Sequence, residues 1–287
     1  MRKFAVIDIG SNSVRLMFVA DGKVLYKALN TTRLGEGLAS SSMLKQEAIS
    51  RSVNAVVSFY DQAKAEGAES VYAFATAAVR SAANGQAFVD GVRALRPLQV
   101  EVISGEEEAE IGILGALGNQ DGGIVDVGGA STEIVVKRQG KVLFKKSVNI
   151  GVVRLKDRCG RDKAALSQTA REAAKEFVGF PSIGNLYAIG GTATTLAALS
   201  LGLQKYDSKK ITGAVITKEK MQEMADKLSQ MSVEEIAALP CMPKGRADVL
   251  SGGAVLLATL MQELGLQSLT ASDRDNLEGY ATKRGLL

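Results

Sequence analysis

The stretch IDIGSNSVRLMFV, residues 7–19, decides the fold of this 287-residue chain. An apolar run reaches Asp8, bends through Gly10-Ser11-Asn12-Ser13 and resumes as Val14-Arg15-Leu16-Met17-Phe18-Val19. Small and polar residues at a bend are ordinary turn chemistry. They also let backbone N–H groups come close to an anion. Taken alone, the hairpin fits either reading.

A second copy separates them. Residues 6–27, VIDIGSNSVRLMFVADGKVLYK, align without a gap on residues 124–145, IVDVGGASTEIVVKRQGKVLFK, at an offset of 118. Eight of 22 positions are identical, among them Asp8/Asp126, Gly10/Gly128 and Ser13/Ser131. Each copy reads as strand, Asp-Gly turn, strand, Asp-Gly or Gln-Gly turn, strand. Strand sets followed by helices predict an α/β fold of two similarly built lobes. If the lobes are related by approximate two-fold symmetry, the two turns face each other across a cleft, where ligands favour binding.

Helical patterning covers 41–66, 84–96, 104–118, 164–178, 218–230 and 246–264, while 70–75, 98–103 and 186–191 read as strands. The segment ASDRDNLEGYATKRG, residues 271–285, is expected to form a short helix packed back on the first lobe. The expected division is a first domain of residues 1–119 with about 272–287, and a second of 120–271.

Composition removes several chemistries. The chain has no histidine, so an imidazole triad, a His-ligated metal and HExxH are excluded. Acid–base work must fall to other side chains, and any metal is expected to be a hard cation on oxygen ligands, which points to Mg²⁺. Cys159 and Cys241 have no metal spacing and are expected to be reduced thiols in a cytoplasmic protein. No apolar run approaches the roughly 20 residues of a membrane span, and Met1-Arg2-Lys3 leads into a strand with no signal-peptide pattern. A net charge of +4 is too mild to argue for duplex nucleic acid.

Within Ser104-Gly105-Glu106-Glu107-Glu108, Ser104 and Glu107 fit a capping box. Glu108 needs another explanation. It shares a helix face with Gly112 and Gly115, so it borders a close-packed junction or an open cleft, and it is the best candidate to orient or deprotonate a water. In DVGGASTEI, Gly128-Gly129 permit positive φ and close anion approach, and Ser131 and Thr132 offer hydroxyls. Asp8 and Asp126 then suit water-mediated Mg²⁺ binding. Gly190-Gly191-Thr192 ends a strand and is expected to open a helix at Thr192, whose N-terminus favours an anion. Arg80, just after a strand, has the chemistry to hold a phosphate. The basic residues around Arg154–Lys163 and Lys205–Lys210 read as solvated faces unless they lie near a cleft.

The ordered set DIGSNSVRL (8–16), TTRLGEGL (31–38), ATAAVRSAANG (75–85), ISGEEEAEIG (103–112), DVGGASTEI (126–134), GVVRL (151–155), AIGGTATTLAAL (188–199) and GRADVLSGGAVLL (245–257) resembles the exopolyphosphatase / guanosine pentaphosphate phosphohydrolase family, within the actin–Hsp70–sugar kinase superfamily. The resemblance implies two actin-like, ribonuclease H-like lobes with the site between them. It implies Glu108 as the catalytic glutamate, Glu133 as a second functional glutamate and Arg80 as a phosphate-binding arginine. It implies phosphate contacts from Gly10, Ser11, Asn12, Gly128, Gly129, Ser131 and Thr132, with Asp8 and Asp126 beside them. The implied reaction is Mg²⁺-dependent hydrolysis of a terminal phosphoanhydride in polyphosphate or pppGpp, by a homodimer. Longer members continue into a helical metal-binding extension, so short polyphosphate chains are the expected substrates. Asn276 stands where the family often carries arginine, and Ala130 where a third glycine is common. A sugar or acetate kinase and a non-catalytic nucleotide-binding protein are the alternatives from other classes.

Overall fold

A computed structural model describes residues 2–287. Strands β1 (Lys3–Ile9), β2 (Ser13–Ala20) and β3 (Lys23–Thr31) form an antiparallel meander. Helices α1 (Leu38–Ser41) and α2 (Gln46–Ala65) lead to β4 (Ser70–Ala75), then α3 (Ala77–Ser81), α4 (Gly85–Leu95) and β5 (Val100–Val102). β4 and β5 add in parallel, giving the sheet order β3-β2-β1-β4-β5. The helix expected over 41–66 starts late because Ser42 is left-handed, at φ 58°, and separates α1 from α2.

Helix α5 (Gly105–Leu117) crosses to the second sheet. There β6 (Gly122–Val127), β7 (Thr132–Arg138) and β8 (Lys141–Val148) repeat the meander. Next come α6 (Val152–Cys159), α7 (Lys163–Ala174), β9 (Asn185–Ile189), α8 (Gly190–Ser200), α9 (Ser208–Ile211) and β10 (Val215–Thr217). The chain continues through α10 (Lys218–Gln230), α11 (Val233–Ala237), α12 (Ala247–Glu263), β11 (Ser268–Ala271) and α13 (Asn276–Lys283). The sheet order is β10-β11-β9-β6-β7-β8, the first sheet's plan with one antiparallel edge strand added.

The repeat extends to irregular detail. Asp21-Gly22 and Gln139-Gly140 both take positive φ at the meander turns. A register shift falls between Phe18 and Val19 and again between Val136 and Lys137, at the same offset of 118. Gly10 N donates to Ser13 O, and Gly128 N to Ser131 O, each at 3.0 Å. The lobes are two α/β units of one design, as the sequence pattern predicts.

α5 is buried on two sides. Ile111 packs with Phe4, Phe74 and Tyr280 of the first lobe, while Ala109, Ile113 and Leu117 pack with Ile124, Val135 and Ile189 of the second. α13 lies on α5 at a crossing built from glycines. A methyl at Gly115 would overlap the Asp275 carbonyl, and one at Gly279 would overlap the Ile111 carbonyl. Phe74 stacks on Tyr280 at 4.6 Å, which ties this last helix to the first sheet. No helix among the described residues is long and apolar enough to cross a membrane.

Candidate active site

The capping box at the start of α5 sorts the glutamates. Glu107 N donates to Ser104 Oγ at 3.1 Å, and Ser104 N to Glu107 Oε2 at 2.9 Å, which leaves Glu107 exposed. The next residue points inward. Glu108 is 7% exposed, and its Oε2 accepts from Arg80 Nη1 at 3.0 Å. Burial raises its pKa to about 7 against the pull of Arg80. A carboxylate poised near neutrality has the basicity wanted of a general base.

The two turns meet in front of it. A methyl at Gly129 would lie 2.8 Å from Ser11 Cβ and 3.0 Å from Asn12 N, so the turns are already in contact. The positive φ that Gly128-Gly129 permit is not used. The glycines serve close approach instead, since Gly151 packs onto the Gly128–Gly129 backbone with no room for a side chain.

Asp8 and Asp126 occupy equivalent positions but have unlike partners. Asp8 Oδ2 accepts from Arg15, its cross-strand neighbour, through Nε at 3.0 Å and also through Nη2. Arg15 Nη1 reaches on to Asp275. Asp8 Oδ1 is buried with no partner, and burial raises Asp8 more than Arg15 lowers it. Asp126 instead faces Glu133 across the strands and accepts from Asn276 Nδ2 at 3.0 Å. Burial, with Glu108 and Asp275 nearby, raises Asp126 to about 8.

The cleft between the lobes is about 90 Å³. Asp8, Gly10, Ser11, Asn12, Glu108, Asp126, Gly128, Gly129, Ser131, Gly190, Gly191 and Thr192 line it together. Gly190, at φ 79°, opens α8, two residues before the expected start at Thr192. Arg80, Thr132 and Glu133 are not in its lining. Arg80 stands behind Glu108. Thr132 turns its hydroxyl to Ile150 O at 2.6 Å, so it is committed to its own strand end. Glu133 accepts from Ser147 Oγ at 2.6 Å and keeps a buried, unpartnered Oε2. Burial and the charges of Glu108 and Asp126 push its pKa well up.

Two cleft residues, Arg15 and Arg246, and Asp275 beside the cleft have partners or positions that no local pattern reveals. Arg15 lies inside the opening stretch, but only the fold reveals its double ion pair. Asp275 is readable as a cap, four residues before Gly279 and three before Glu278, yet nothing nearby in sequence announces Arg15 as its partner. Arg246 is 8% exposed, lies over Gly191 at the head of α8, and makes no side-chain hydrogen bond among the described residues. Burial, reinforced by Arg15, lowers its pKa to about 10. A buried guanidinium without an anion faces the space that an anionic ligand would fill.

Five carboxyls (Asp8, Glu108, Asp126, Glu133 and Asp275) gather around this space against three guanidiniums, Arg15, Arg80 and Arg246. No set of three acidic, histidine or cysteine side chains is close enough, among the described residues, to cage a metal alone. The unpartnered Asp8 oxygen and the surplus of carboxyls do fit Mg²⁺, which normally takes one or two carboxylates and completes its shell with water and phosphate oxygens.

Known proteins share this architecture. The model of the Ppx/GppA phosphatase family matches residues 18–283. The chain is 33% identical to exopolyphosphatase 2 of Mycobacterium tuberculosis, over 98% of each chain. It is 29% identical to the guanosine-5'-triphosphate,3'-diphosphate pyrophosphatase of Photobacterium profundum, over 99% of this chain and 58% of that one. The crystal structure of an exopolyphosphatase-like protein superposes with a TM-score of 0.90 at 27% identity, over 99% of this chain and 100% of the other.

Proposed function

This chain belongs to the Ppx/GppA phosphatase family, and from that premise we propose that it is an exopolyphosphatase releasing terminal phosphate from inorganic polyphosphate. The observation that carries the reading is Glu108, a buried carboxylate with a pKa near 7, facing two touching turns of backbone donors. Glu108 takes a proton as water attacks the terminal phosphorus. The bridging P–O bond breaks, and the shortened chain leaves with that oxygen. The turn amides, with Ser11, Asn12 and Ser131, hold the phosphoryl oxygens, and Arg15 keeps Asp8 in place. Such positioning and charge neutralisation are most of what phosphoryl transfer needs. Asp8 and Asp126 would hold Mg²⁺, which when bound neutralises the phosphate oxygens.

The match to the mycobacterial exopolyphosphatase spans 98% of both chains, whereas that to the guanosine pentaphosphate relative spans 58% of the latter, which favours polyphosphate over pppGpp. The test is phosphate release with Mg²⁺ from tripolyphosphate, long polyphosphate, pppGpp and ATP at matched concentrations. Faster release from polyphosphate supports the reading. Preference for pppGpp would make the chain a guanosine pentaphosphatase, and ATP-dependent transfer without polyphosphate hydrolysis would make it a kinase. Free thiols at Cys159 and Cys241 suit a cytoplasmic setting, and the family resemblance adds a homodimer to the proposal.

Arg246 supplies a second test. Its charge-assisted contacts to substrate are each worth about 1.5–3 kcal/mol, so Arg246→Gln should raise KM for polyphosphate by roughly tenfold to a hundredfold. Because the native guanidinium is buried without a protein anion, the variant should melt no lower than wild type. A lower melting temperature with unchanged KM would make Arg246 a structural residue.

A further inference from the structure

The first turn of α6 holds an arginine that the cleft does not use. Arg154 is 9% exposed, its Nη2 donates to Ser81 Oγ at 2.9 Å, and its Nε is buried with no partner. Buried charges are normally paired with an opposite charge. Arg154 has cations around it instead. Burial lowers its pKa, and Arg158 and Arg80 lower it further. Arg158 is exposed one turn along α6, an unfavourable like-charge spacing unless an anion joins the pair. Arg80 comes from the other lobe, with Nη1 donated to Glu108 at 3.0 Å and to Ile103 O at 2.9 Å. The carboxylate that acts on Arg154, Asp157, is exposed and accepts from the Gly37 amide at 2.8 Å.

Three guanidiniums from two lobes thus lie close together, Arg80 being the one paired with Glu108, and no carboxylate is dedicated to Arg154. We propose that Arg154, with Arg80 and Arg158, forms a second phosphate subsite outside the cleft between the turns. Guanidinium forks match phosphate oxygens. The occupant is one phosphate group, either the orthophosphate just released or a further phosphoryl group of the chain. The subsite is tied to the reaction centre, because Val152 N and Val153 N on the same turn of α6 hold Gly128 O and Gly129 O at 3.0 and 2.8 Å. This inference rests on the hydrolase reading for its role, but not for its ligand.

Titration calorimetry of inorganic phosphate into the intact protein tests it. Arg154→Gln should weaken phosphate binding about tenfold, the loss of one charged hydrogen-bonding group. Arg154→Lys should recover part of it, and Ser81→Ala, which removes the protein partner but not the charge, should bind like wild type. Thermal melts check that each variant is folded. Kinetics then identify the source of the phosphate. A raised inhibition constant for orthophosphate with unchanged KM for tripolyphosphate assigns the subsite to product, and a raised KM assigns it to the chain. Wild-type phosphate affinity and KM in Arg154→Gln would overturn the proposal. Equal losses in Arg154→Gln and Ser81→Ala would also overturn it, since Arg154 would then be only a strut between lobes. If wild-type protein releases no phosphate from any substrate while Arg154-dependent binding persists, the hydrolase reading fails and the subsite stands.

Discussion

Glu108→Gln lowers kcat by at least about a hundredfold, the typical contribution of a general base, while substrate still binds and the melting temperature holds. The amide keeps the shape of the side chain and a hydrogen bond near Arg80, but it cannot accept a proton from water. Glu107→Gln is the control, because Glu107 is exposed and spans only the helix cap. Gln also closes the capping box, so its expected effect is the loss of one charge at the helix N-terminus, about 0.3–1 kcal/mol of stability, with near wild-type turnover. Equal losses of turnover in the two variants would reverse the assignment. The pH profile follows from the same residue. Burial raises the Glu108 pKa to about 7, and the base must be ionised to act. Activity therefore rises with pH through an inflection no higher than about 7, since bound Mg²⁺ would shift the group downward. In Glu108→Gln that limb should vanish from the residual rate.

Gly115→Ala is expected to have the largest effect on stability. Its methyl would overlap the Asp275 carbonyl, which is backbone and has no rotamer through which to retreat. Overpacking of this kind costs about 3 kcal/mol at its upper range, which corresponds to a fall of roughly 6–12 °C in melting temperature for a chain of this size. The damage reaches the cleft as well. Displacing α13 moves Asp275 away from Arg15 and Asn276 away from Asp126. Polyphosphate hydrolysis assayed well below the melting point should fall in the fraction that remains folded. Full activity with an unshifted melt would mean that the α5–α13 crossing slides freely and does not set the site.

The sequence was most readable where the physics is local. The ungapped repeat identified both meanders, because strand alternation and turn residues are set by near neighbours. The Ser104–Glu107 cap separated Glu107 from Glu108 for the same reason. The helix expected over 218–230 is found as Lys218–Gln230. That over 164–178 ends at Ala174, where a tight turn through Phe177 takes over. What stayed hidden depends on contacts between distant segments. Arg15 is separated from Asp275 by 260 residues, and Asn276 from Asp126 by 150. In sequence Asn276 is only a departure from arginine, whereas the fold gives it a carboxylate to orient. Arg246 sits in an unremarkable helix start until Gly191 is brought beneath it. Thr132 shows the converse, since a hydroxyl beside a glycine turn suggests a ligand contact, whereas the fold gives its hydrogen to the Ile150 carbonyl.

The position of α13 has a consequence for how the protein comes into being. Asp275 and Asn276 are made after both sheets, yet they buttress residues 8, 15 and 126. During vectorial synthesis the first meander, complete at Thr31, emerges early, with Arg15 lacking half of its charge partners, while the roughly 240 residues up to Asp275 are made. At roughly 5–20 residues per second that interval lasts many seconds. A ribosome-bound chain thus carries both turns in an idle state, and the catalyst is assembled only when the last helix closes over α5.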